Sequence, residues 1–119
     1  MNANINIRHQ GGGFSLLHLA TELSHLGIIR ILIQNGADIN MKMKYDEFTP
    51  LMIACKKGDV ALVKELIELG ANVNQIDMKG RSPLHIACEN DYPEIVKILI
   101  EDGKASVDIK DGVGKEAKE

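Results

Sequence analysis

The chain has 119 residues, the size of one ordinary domain, and with two Phe, two Tyr and no Trp any core must be aliphatic. Its net charge of −3 and pI near 5.8 argue against an electrostatic nucleic-acid binder. No apolar run approaches the ~20 residues of a membrane span, the first ten residues carry no signal-peptide core, and two cysteines without a dense framework fit a reducing compartment, cytosol or nucleus.

In chain order, Ala3-Asn4-Ile5-Asn6 has the pattern of Ala37-Asp38-Ile39-Asn40, so residues 1–12 read as the tail of a preceding unit. Gly11-Gly12-Gly13 falls in the loop before the first helix; without a following Lys and Ser/Thr it is a turn rather than a phosphate loop. Residues 15–40, SLLHLATELSHLGIIRILIQNGADIN, predict two short helices. Gly27, early in the second, costs about 1 kcal/mol relative to alanine, which makes this the softest unit. The stretch NMKMKYDEF follows, a connector with a longer tip that holds two of the four aromatic residues, Tyr45 and Phe48.

Residues 49–74, TPLMIACKKGDVALVKELIELGANVN, predict a second helix pair. Asp59 is a helix N-cap, and Leu62, Val63, Leu66 and Ile67 form a buried stripe. QIDMKGR then turns at Asp77 and Gly80. In the third pair Ser82 caps, Pro83 takes the first helical position, and Glu89-Asn90-Asp91 breaks the helix. Pro93 opens the last helix, whose broad apolar face ends at Gly103. Asp111-Gly112-Val113-Gly114 starts a fourth unit, and KEAKE frays.

Each helix pair is too small to bury its own apolar face, and the three are copies of one another. They overlay at shifts of 34 and 33 residues, with Ala20, Ala54 and Ala87 in register and, 16 residues on, Gly36, Gly70 and Gly103. The motif residues are Thr49-Pro50-Leu51, Ser82-Pro83-Leu84-His85-Ile86-Ala87, Leu17-His18-Leu19-Ala20, Gly36-Ala37-Asp38-Ile39-Asn40 and Gly70-Ala71-Asn72-Val73-Asn74. A period near 33 with this motif resembles the ankyrin-repeat family. The resemblance implies an all-α solenoid of stacked helix–turn–helix hairpins joined by short extended, β-hairpin-like connectors. Its repeats would be residues 13–40, 46–74 and 77–108, with partial units at 1–12 and 109–119. Leu16, where the family has proline, departs from the pattern.

Little points to chemistry. His18 and His85 share one repeat position with Met52; the resemblance implies that they hydrogen-bond loop backbone. His85 and Cys88 lie one helical turn apart, but zinc wants four convergent ligands and no second pair completes the set. Cys55 and Cys88 occupy one repeat position; helices packed roughly 8–10 Å apart are too distant for a bridge, so both are expected reduced and buried. The segment after Asp108 fails as a calcium loop because Lys110 sits at a ligand position. No cofactor, metal or catalytic set is expected.

Positions where the units agree serve packing, and positions where they differ are free to bind. Glu22-Leu23, Lys56-Lys57 and Glu89-Asn90 end the three first helices. The connectors contribute Tyr45, Asp46 and Phe48, then Met78, Lys79 and Arg81. The resemblance places such residues on the concave face and hairpin tips where a protein partner docks. The expected site is therefore Tyr45, Asp46, Phe48, Lys56, Lys57, Met78, Lys79, Arg81, Glu89 and Asn90, spanning the second and third units. Nothing in the pattern demands Tyr45 or Arg81 for folding, so truncating either should leave stability unchanged. The expected function is non-catalytic protein recognition, with a spacer segment of a longer array as the alternative. Apolar ends, from Ile28, Ile29 and Leu32 on one side and Ile95, Ile98 and Leu99 on the other, should favour self-association.

Overall fold

A computed structural model describes residues 5–8 and 13–107. The predicted Ala3-Asn4 repeat match, Gly11-Gly12, the fourth-unit start at Asp111 and the KEAKE tail lie outside these residues. Six helices follow in pairs: α1 (Leu16–Glu22) with α2 (Leu26–Gln34), α3 (Pro50–Lys57) with α4 (Val60–Glu68), and α5 (Pro83–Glu89) with α6 (Pro93–Glu101). No strand occurs among the described residues.

Each first helix starts from the same device. Ser15, Thr49 and Ser82 sit in extended backbone, and each hydroxyl accepts the N–H three residues on, from His18, Met52 and His85 at 3.3 Å. The third residue returns a bond. Nδ1 of His18 and His85 accepts the cap N–H at 2.8 and 3.1 Å, and in the second unit the Met52 sulfur takes that place at 3.5 Å. The histidines are thus half of a capping box. His18 also bonds through Nε2 to the Met41 carbonyl at 2.7 Å, tying α1 to the connector that follows its unit. Among the described residues no group of three His, Cys, Asp or Glu could hold a metal.

The turn inside each pair needs a left-handed residue, and Ser24, Gly58 and Asp91 supply it with φ of 57°, 75° and 57°. Gly58 has a second reason to be glycine: a Cβ there would meet the Tyr92 ring of the next unit at 2.7 Å. Asp59 caps α4 as expected, accepting from the Leu62 N–H at 3.1 Å.

The pairs stack in two layers. Helices α1, α3 and α5 pack in sequence, each against its own partner helix, and α4 packs on α6. Leu17, Leu51 and Leu84 recur at one buried position, and Ala20, Ala54 and Ala87 keep the layers close. Helix α2 rests on α4 more loosely than α4 on α6, and an Arg30–Glu65 ion pair bridges that junction. An asparagine ladder runs beside the helices: Asn6, Asn40 and Asn74 accept the N–H of Asp38, Asn72 and Ser106 at 2.7, 2.7 and 2.9 Å.

Two expectations need correction. Gly103 does not take the left-handed conformation of Gly36 and Gly70; the third unit is one residue longer there, and Lys104 carries it with φ of 55°. Glycine at 103 is instead a close-packing residue, since a Cβ would lie 2.8 Å from Val73 and 2.9 Å from the Leu99 carbonyl. The second correction concerns the ends. Ile29, Ile95, Ile98 and Leu99 are buried. Ile95 matches Leu62, on the flank of each unit that faces its predecessor, so the second unit covers it. The exposed aliphatics on α2 are Ile28 and Ile31.

Candidate partner-binding face

The connectors are narrow tips held by short backbone bridges. Asp77 N–H reaches the Arg81 carbonyl at 2.9 Å, with Gly80 left-handed between them. The first connector is one residue longer, as its sequence implies: Met43 N–H reaches the Phe48 carbonyl at 2.8 Å, and Glu47 takes the left-handed turn with φ of 61°. The tips join each other through Met78 N–H to the Asp46 carbonyl at 2.9 Å.

Where the first connector crosses the C-terminal ends of α1 and α3, two adjoining hollows open, of about 340 and 280 Å³. They share Glu22, Met43 and Ile53. Phe48 lines the first and Phe14 and Leu19 the second, so much of the wall is apolar. The rim of the first is charged, with Asp46, Lys56 and Lys57 around it. Lys57 reaches the Glu22 carbonyl at the end of α1, a cation on orphan helix carbonyls. Among the described residues neither Lys56 nor Lys57 forms an ion pair.

A family model of ankyrin repeats, three copies, matches residues 17–111. The chain belongs to the ankyrin-repeat family. No curated protein matches it. Ankyrin repeats are generally protein–protein interaction modules and typically non-catalytic, and no described helix of this ankyrin-repeat chain is long and apolar enough to cross a membrane.

The expected site residues divide into three groups. Asp46, Phe48, Lys56 and Lys57 meet at the first hollow. Met78 and Lys79 line a separate, shallow hollow of about 640 Å³ at the tips, and Tyr45 is exposed, lining neither hollow, with Lys44 Nζ 5.5 Å from its ring. Arg81, Glu89 and Asn90 are held by the fold. Arg81 donates to Asp77 Oδ2 from Nε and Nη2, both at 2.9 Å, and from Nη1 to Glu89 at 2.8 Å. Asn90 turns back to donate to the Ile86 carbonyl at 2.8 Å.

Two of these residues therefore differ from expectation. Phe48 is only 6 % exposed: the Lys56 ammonium and Arg81 guanidinium lie 5.7 and 5.9 Å from its ring, and it floors the hollow rather than projecting from it. Arg81 is structural, because Asp77 is a buried carboxylate that needs its cation. Sequence reasoning passed over Leu19, Met43 and Ile53 in the hollow. The signal for Glu22 was present, since it occupies the repeat position of Lys56 and Glu89.

Cys55 is fully buried, and burial pushes its thiol pKa well above the usual range; Cys88, at the same repeat position, is half-buried, and burial and the Glu89 charge raise its pKa too. Burial at both positions therefore holds only for Cys55.

Proposed function

We propose that this chain is a non-catalytic recognition module that seats a protein partner in the hollows between α1 and α3. The observation that carries the reading is the apolar floor of Phe48, Met43 and Ile53 beneath a rim whose two lysines form no ion pair among the described residues. A bulky apolar side chain of the partner fills the hollow, an acidic group meets Lys56 and Lys57, and Tyr45 and Met78 extend the contact along the tips. Preformed helices lose little entropy on docking. The partner is protein rather than nucleic acid, met in cytosol or nucleus, and the domain runs as three repeats, residues 13–40, 46–74 and 77–108, between partial units. The centre of the site moves from the second and third units to the first and second.

The test is capture with the chain as bait, comparing the parent with Lys56→Glu/Lys57→Glu and with Tyr45→Ala. Tyr45→Ala should leave melting unchanged, and the lysine pair, which loses the Lys57 bond to the Glu22 carbonyl and sets acid at the end of α3, should lower it by only about 5 °C, while retention of the captured protein falls in both. Equal retention by all three chains would remove the hollow as the site. A spacer segment of a longer array is the second reading. Leu16 and Ile28 favour it, being exposed where Pro50, Pro83, Leu62 and Ile95 are buried by a preceding unit. It requires that no retained protein depend on Lys56, Lys57 or Tyr45.

A further inference from the structure

The first unit leaves exposed an uncharged apolar face whose counterparts on the other units are largely buried. Leu16, Leu19 and Leu23 recur at the spacing of one face of α1, and Ile28 and Ile31 at that of one face of α2. All five are between 42 and 58 % exposed. Half of the large hydrophobic residues exposed among the described residues are in this set.

The other units show which way the face points. At the positions of Leu16, Leu19 and Ile28 the second unit has Pro50, Ile53 and Leu62, all buried. At the position of Leu23 it has Lys57, which reaches back to the Glu22 carbonyl of the first unit; at that of Ile31 it has Glu65, which pairs with Arg30 of the first unit. All five positions thus lie on the flank facing a preceding unit. The second unit fills two of them with polar groups that meet a carbonyl and a guanidinium, and the third fills them with Asn90 and a buried Ile98. The first unit alone has large aliphatic residues at both, so its face is apolar across the whole width and suits an equally apolar cover.

We infer that this face binds the same face of a second copy of the chain, in a two-fold dimer. Self-pairing brings apolar to apolar, and Arg30, the one charged side chain of α2, is engaged by Glu65 rather than left to face its own copy. Head-to-tail stacking lacks a matching surface: on α5 and α6 Ile100 is the single large hydrophobic exposed, at 38 %. A two-fold interface uses every side chain twice, so five half-exposed aliphatics become ten. That is the apolar centre of a standard interface of about 800 Å² per partner, on a patch larger than monomers ordinarily leave open. Leu19 belongs to both this face and the smaller hollow, so the second copy abuts the recognition site.

Sedimentation of the whole chain reads the association, and Leu23→Lys/Ile31→Glu tests the face. The double variant installs the second unit's own residues at exposed positions, so its melting temperature should stay within about 5 °C of the parent's. At about 100 µM, where even a modest interface of this size is populated, the parent should sediment at twice the 13.1 kDa chain mass and the variant as a monomer. Should the variant fold poorly, hydrogen exchange on the parent gives the same answer: protection of α1 and α2 should rise with concentration while α5 and α6 stay unchanged. A parent that remains monomeric overturns the inference and leaves the face to another part of the protein or another partner. A dimer that survives the double change overturns it by placing the contact elsewhere. Growth into species larger than dimers overturns the two-fold pairing in favour of end-to-end stacking.

Discussion

Replacing Arg81 with alanine should destabilise the protein by about 2–3 kcal/mol, several times the ~0.5 kcal/mol of an ordinary surface substitution. The reason is Asp77, whose carboxylate is 4 % exposed. Its Oδ1 accepts the backbone N–H groups of Lys79 and Arg81, both at 2.9 Å, and these survive the change. Its Oδ2 depends on the guanidinium, which supplies two donors at 2.9 Å. Breaking a fully buried pair from one side costs about 3–5 kcal/mol. Arg81 is 22 % exposed at its side chain, so water partly replaces it, and the loss falls below that range. The Glu89 bond adds little, since that carboxylate is 47 % exposed. Urea denaturation followed by circular dichroism measures the change, which corresponds to roughly 10 °C in melting temperature for a domain of this size. Arg81→Lys, keeping charge but not the fork, should fall between. Asp77→Asn combined with Arg81→Ala should cost less than the two single changes added, because the stranded charge is gone. If Arg81→Ala unfolds within about 0.5 kcal/mol of the parent, Asp77 does not need its cation and the argument fails. The same result decides how binding is probed: loss of a partner in Arg81→Ala would report a disturbed tip, not a lost contact.

The remaining expectations are independent of one another. Burial lowers the pKa of His18 below its ordinary 6.5, and the neutral ring fits both its bonds, Nδ1 accepting from Ser15 N–H and Nε2 facing the Met41 carbonyl. The unfolded chain then binds the proton first, so this residue's contribution is full above about pH 6.5 and declines as pH falls toward its folded pKa; His18→Gln should flatten that slope in denaturation measured from pH 7.5 to 5, and an unchanged slope would refute the assignment. With a thiol reagent on native protein, Cys88 should react slowly and Cys55 only on unfolding; equal rates for the two would contradict their different burial. Gly58→Ala should cost about 2 kcal/mol, from a left-handed alanine and a Cβ driven into the Tyr92 ring. Adding Tyr92→Leu should recover part of that loss in the same melts, and no recovery would mean that the ring is not what crowds the site.

The fold was legible because its demands repeat. Caps at Ser15, Thr49 and Ser82, the alanine of each first helix and the break between helices recur at a fixed spacing, and each repetition confirms the others. The site was legible only in part, because a binding position is by definition where the repetition stops. Composition could not separate Phe48 as anchor from Phe48 as floor; cations stand against its ring in either role, and only packing buries it. Asp77 showed as a turn residue, which it is, but a turn motif does not reveal that the second carboxylate oxygen is buried and claims an arginine four residues on.

The ends of the stack teach the sharper distinction. Periodicity says that α2 has an apolar stripe more than half a turn wide, and Ile28, Ile29, Ile31 and Leu32 all belong to it. It does not say which half looks forward and which looks back. In a solenoid those halves have opposite fates at the first unit: Ile29 is fully buried, while Ile28 and Ile31 are exposed. At the third unit the same backward half, Ile95 and Ile98, is covered by the second. Exposure at an end is therefore fixed by the direction of stacking as well as by hydrophobicity. Direction becomes visible only where a residue such as Glu65 or Lys57 can be seen reaching to its neighbour.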